Sequence, residues 1–127
     1  MTLNTHLMID TDLCGTVTQL GEGSATVELV ALPEMGADEN GLVHGGFIFG
    51  AADYAAMAAV NAPTVVLAAA GCRFLAPSKV GDTIVFKAEC TESNGNKYMI
   101  TVSAYCGGAE VFTGEFKAVV TAKHVLE

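Results

Sequence analysis

Tryptophan is absent from this chain, proline occurs three times, and only six Lys and Arg face fourteen Asp and Glu, leaving a net charge of −8. Each scarcity excludes something. Binding to phosphate backbones depends on clustered cations, so the acidic balance argues against nucleic acid and against anionic membrane surfaces as partners. No apolar run approaches the roughly 20 residues that a membrane-spanning helix needs; Ala62 to Ala70, the longest, is broken by Pro63 and Thr64. Met1 to Asp12 lacks a basic flank and carries Asp10 and Asp12, so it does not read as a signal peptide. The four cysteines (Cys14, Cys72, Cys90 and Cys106) form no CxxC pair and no Cys/His ligand spacing. They read as free thiols in a reducing cytoplasm, with no metal implied. Walker loops, dinucleotide fingerprints and nucleophile elbows are also missing.

What is present is apolar. Hydrophobic residues make up 51% of 127 positions, enough to build a core and far from the composition of a disordered chain. The length suits one domain, 1–127, with its core at about 15–122. A core this small leaves apolar surface that a second copy would cover. The cations are unevenly placed: none precedes Arg73, so an anionic ligand would meet the C-terminal half, although solubility alone explains the pattern equally well.

Ser24 to Leu32 sets Val27, Leu29 and Ala31 against Thr26, Glu28 and Val30, the period of a strand. Pro33 to Asn40 reads as a loop. Gly45 to Asn61 is rich in Ala, apolar nearly all round and stopped by Pro63, which describes a helix enclosed by other structure. Strands follow at 64–75, 83–90, 97–106 and 111–122, with Asn94-Gly95 marking a hairpin. One strand, one long helix and then four strands make an α+β chain with an antiparallel sheet.

Chemistry concentrates between Asp38 and Asp53. His44-Gly45-Gly46 sits where loop becomes helix, and the unpaired N–H groups there, with the helix dipole, favour a developing oxyanion. Asp53 lies nine residues later among apolar neighbours. A buried carboxylate is costly, and either general-base work or a structural hydrogen bond would account for it.

The pattern His44-Gly45-Gly46, Phe49, Ala52-Asp53, continued by Phe74-Leu75-Ala76-Pro77 and Gly81-Asp82, resembles the hot-dog thioesterases, in particular the branch of the phenylacetate-degradation thioesterases. The resemblance runs over nearly the whole chain. It implies a hot-dog fold, one central helix wrapped by a curved antiparallel sheet. It further implies a homodimer or homotetramer with active sites at the interface, no cofactor, and hydrolysis of an acyl-coenzyme A. The Gly45 N–H would polarise the thioester carbonyl, Asp53 of the other subunit would activate water or attack directly, and His44 would position the loop. Gly46, Asp38, Asn40, Thr64 and Lys79 are the candidate substrate-binding residues, Lys79 for a phosphate. Phe47, Tyr54 and Met57 are expected to face the interface and set the pocket volume.

Two positions depart from the family pattern: Asp38 stands where relatives carry Asn or Gln, and Met57 where they often carry Ser or Thr, leaving Thr64 as a substitute. Two rival readings stay open. A hot-dog hydratase or dehydratase would use an Asp, an Asn and a His, and Asp38, Asn40 and His44 miss that spacing by one residue. A non-catalytic acyl-thioester-binding module would need no polar partner for Asp53.

Overall fold

In chain order the elements are α1 (Thr11–Cys14), β1 (Thr16–Gly21), β2 (Ser24–Val30), a 3-10 turn at Pro33–Met35, α2 (Gly45–Val60), β3 (Val65–Phe74), β4 (Thr83–Asn94), β5 (Lys97–Cys106) and β6 (Ala109–Val120). They are taken from a computed structural model that describes residues 1–127. Alternation drives the strands: β2 buries Ala25, Val27 and Leu29, and β4 buries Ile84, Phe86 and Ala88, with polar neighbours turned outward.

All six strands join one antiparallel sheet in the order β1-β2-β4-β5-β6-β3. The chain leaves the sheet after β2, runs through α2, and re-enters at the far edge as β3. α2 packs against every strand. A flat six-stranded sheet is about 24 Å wide and a helix about 10 Å across, so contact with all six requires the sheet to curve around it. Irregularities in register at Thr18, Ala68 and Thr91, and beside Tyr105, supply bends. This is the hot-dog fold, α+β, as the sequence pattern implied.

The helix can sit deep because it is thin. Ala51, Ala52, Ala55, Ala56, Ala58 and Ala59 are buried against the sheet's aromatic floor of Phe86, Phe112 and Phe116. Asn61, in the left-handed region at φ 55°, closes α2 by donating its N–H to Met57 O at 2.9 Å. Its side chain ties down the N-terminal stretch, accepting from Asn4 N at 2.7 Å and donating to Thr2 O at 2.9 Å.

Some details differ from the sequence expectation. The lead before β2 contains α1 and β1, and the irregularity at Thr18 breaks the two-residue period that would have announced β1. β4 runs past Cys90 to Asn94 because a second bulge at Thr91 interrupts its alternation without ending the pairing.

Candidate functional site

The loop into α2 is built by its own side chains. Asp38 Oδ1 accepts from the N–H of Asn40 at 2.9 Å and of Leu42 at 3.2 Å, a turn that Gly41 completes at φ 81°. The loop is backed by the segment after β3: Val43 N donates to Ser78 O, Val80 N to Gly41 O, and Leu42 is bridged to Lys79. Asp82 holds that segment by accepting from Lys79 N at 3.0 Å. Asp38, Asn40 and Lys79 are thus brought to one exposed corner, although Asp38 is committed to the loop backbone.

His44 is the N-cap of α2 in extended conformation, and its side chain makes no capping bond. Helix-start N–H groups have no partner one turn earlier, and those of Gly45 and Gly46 find none elsewhere in the chain. Two adjacent donors therefore stand free at the positive end of a sixteen-residue helix. Aromatic rings frame them. A methyl group on Gly46 would come within 2.9 Å of His44 Nε2, and one on Gly45 within 3.4 Å of the Phe74 ring. Glycine at 46 leaves room for the imidazole.

Asp53 occupies the middle of the helix. Its Oδ1 is buried with no hydrogen-bond partner, and burial pushes the carboxyl up from 3.8 to about 6. Cys14, at the end of α1, lies near enough to feel the Asp53 charge. Its thiol is pushed up by burial first and then by the charges of Asp10 and Asp53. That neighbour was not visible in the sequence, because α1 reaches α2 only through the tertiary fold.

The candidates do not converge within one chain. At 1.5 Å per residue, His44 and Asp53 are about 13 Å apart along the helix axis, too far for both to act on one carbonyl. Thr64 lies beyond the far end of α2 and donates its hydroxyl to Thr121 O at 2.6 Å. Tyr54 and Met57 correct an expectation: both are buried in the protomer's own core, at 3% and 0% exposure, so neither faces a partner. Phe47 is half-buried and edge-on to His44 at 6.1 Å. Five open clefts of about 380–560 Å³ lie along the strands, the hairpins and the end of α2, and none of these five has His44, Gly45 or Asp53 in its wall. No three His, Cys, Asp or Glu side chains gather closely enough to ligate a metal ion.

Residues 40–113 match the family model of the thioesterase superfamily. This chain belongs to the thioesterase superfamily. Within curated proteins, this superfamily member is 51% identical over 116 residues to methylthioribose-1-phosphate isomerase of Aquifex aeolicus, covering 91% of the chain but 25% of that protein. It is 34% identical over 86 residues to transcription factor FapR of Caldanaerobacter subterraneus, covering 68% of the chain and 43% of that protein. The chain thus spans less than half the length of either relative.

Among solved structures, protein PH1136 of Pyrococcus horikoshii superposes with a TM-score of 0.99 at 48% identity, covering 100% of this chain and 98% of that one. The fold is also that of E. coli PaaI, from the phenylacetic acid degradation operon (TM-score 0.80, 23% identity, covering 88% and 83%). It recurs in a hypothetical thioesterase of Streptococcus pneumoniae solved with coenzyme A (TM-score 0.77, 20% identity, covering 86% and 87%).

Proposed function

We propose that this protein hydrolyses an acyl-coenzyme A thioester to the free acid and coenzyme A at a site shared between two copies of the chain. The observation that carries the reading is half-buried Asp53, with one carboxylate oxygen sealed and unpartnered, on the same helix as two free N–H donors. The donors at Gly45 and Gly46 would take the oxyanion of the tetrahedral intermediate. Asp53 of the second copy, raised to about 6, would take a proton from the attacking water, or attack the carbonyl itself, at neutral pH. His44 would hold the approach to the donors. Coenzyme A phosphates would meet the exposed corner that carries Lys79, with Asn40 beside it.

Pairing has its own support. β3 is a ten-residue edge strand whose middle, Ala68 to Gly71, is exposed. Unpaired edges of that length invite another strand. A dimer, or a tetramer of paired dimers, would cover the edge and bring the two half-sites together. No helix is long and apolar enough to cross a membrane, and four free cysteines suit a reducing compartment such as the cytoplasm.

Thiol release from a panel of acyl-coenzyme A substrates tests the reading directly; turnover abolished by Asp53→Asn supports it. A second reading is binding without hydrolysis, favoured by the match to a transcription factor and by Asp38, whose carboxylate oxygen serves the loop. Tight binding of several acyl-coenzyme A species with no thiol release from any would establish that alternative. The hydratase reading is weakened by the same bonds, because they leave Asp38 exposed and engaged where that chemistry needs a free base.

A further inference from the structure

Phe74 ends β3 and is 53% exposed as a residue, yet its ring is not free to move inward. It stands edge-on to the fully buried Phe112, centroids 5.3 Å apart, and Phe112 packs in turn on Phe116 at 6.4 Å. The Phe74 ring lies against Gly45, the first residue of α2, 3.4–3.9 Å from where a side chain there would begin. Leu75 and Leu42, both more than 40% exposed, flank the same end of the helix. An anchored aromatic wall therefore borders a free oxyanion donor.

We propose that the Phe74 ring is a specificity-determining wall for the acyl group, admitting unbranched or flat acyl chains and rejecting those branched next to the carbonyl. This rests on the thioesterase reading above. A carbonyl oxygen held by Gly45 N–H at about 2.9 Å places the next acyl carbon beside the ring. A straight chain passes the ring face at contact distance, about 3.5–4.0 Å. A methyl branch on that carbon meets a ring that Phe112 keeps from retreating inward. Discrimination of one such carbon is worth roughly 10–200-fold.

The test compares butyryl- and isobutyryl-coenzyme A by kcat/KM in the unmodified protein, Phe74→Ala and Phe74→Tyr, with sedimentation of each. The expected result is a preference for butyryl of about 10-fold or more that collapses in Phe74→Ala and persists in Phe74→Tyr, with oligomers intact. An unchanged ratio in Phe74→Ala overturns the proposal. So does an equal rise in KM for both substrates, which would place the ring on the coenzyme arm. Dissociation of the Phe74→Ala oligomer would assign the ring to the subunit interface and also overturn it. If the unmodified protein hydrolyses neither substrate, thiol release from the wider acyl-coenzyme A panel decides the hydrolase reading separately. The same ratio is then read from binding of the two non-hydrolysable ketone analogues, with CH2 in place of the thioester sulfur: loss of preference in Phe74→Ala sustains the wall, and an equal preference removes it.

Discussion

The two ends of the proposed chemistry sit on one helix in opposite surroundings. At its start, Gly45 and Gly46 offer bare N–H groups beside exposed His44 and a polar loop. At its middle, Asp53 carries an oxygen sealed from solvent and without a partner. Donors that stabilise an oxyanion work best preorganised and open to the ligand. A base works best when water is stripped from it. On the proposed mechanism the contrast lets a single helix serve both roles, and the separation along its axis is why one copy would not serve both on the same thioester.

The contrast breaks most sharply at Asp53. Asp53→Asn preserves shape and removes basicity, so hydrolysis should fall by at least about 10²-fold with the oligomer unchanged by sedimentation. In the unmodified protein, activity should rise with pH through about 6, as the carboxyl loses its proton. That limb should vanish in the variant, as a pH–rate series will show.

At the other end, Gly45→Pro removes the N–H while respecting the backbone. Proline is favoured at the first helical position, and His44 already holds the extended conformation that a residue before proline needs. Loss of one oxyanion donor should lower kcat by roughly 10²-fold with acyl-coenzyme A binding retained, measurable by calorimetry.

Stability sharpens the same comparison. The folded state holds the Asp53 proton more tightly than the unfolded chain, so the group's contribution to stability falls as pH rises from 3.8 to about 6 and is level above that. Asp53→Asn should therefore melt higher than the unmodified protein at pH 8, by roughly 2 kcal/mol of stability after allowance for residual exposure. The advantage should disappear below pH 4, where both side chains are neutral. The smallest effect belongs to Lys79. Lys79→Ala should weaken coenzyme A binding only a few-fold at low salt and not at all at high salt, because an exposed charge is screened within about 10 Å at 0.1 M ionic strength.

Much of this was legible in the sequence. The alternation of β2 and the first half of β4, the enclosed helix, the glycine pair at its start and the isolated Asp53 each followed from periodicity or from the cost of burying charge. Other features were not. Bulges at Thr18 and Thr91 hid β1 and the end of β4 by breaking the period that reveals strands. α2 is so uniformly apolar that nothing in its pattern said which side chains turn toward the sheet, and Tyr54 and Met57 were placed on the wrong side for that reason. The Phe74 ring against Gly45 joins residues far apart in the chain, a relation that only the crossing of β3 to the far edge creates.

The central claim is that each active site takes its donors from one copy and its carboxylate from another. Mixing inactive Asp53→Asn with inactive Gly45→Pro subunits, after dissociation and reassembly, tests it most directly. Random pairing makes half the dimers mixed, and each mixed dimer holds one site with both groups native. The account predicts recovery to about a quarter of native activity. A mixture that stays as inactive as its parents, with mixed dimers demonstrated by mass, would place both groups in one chain's site and contradict it.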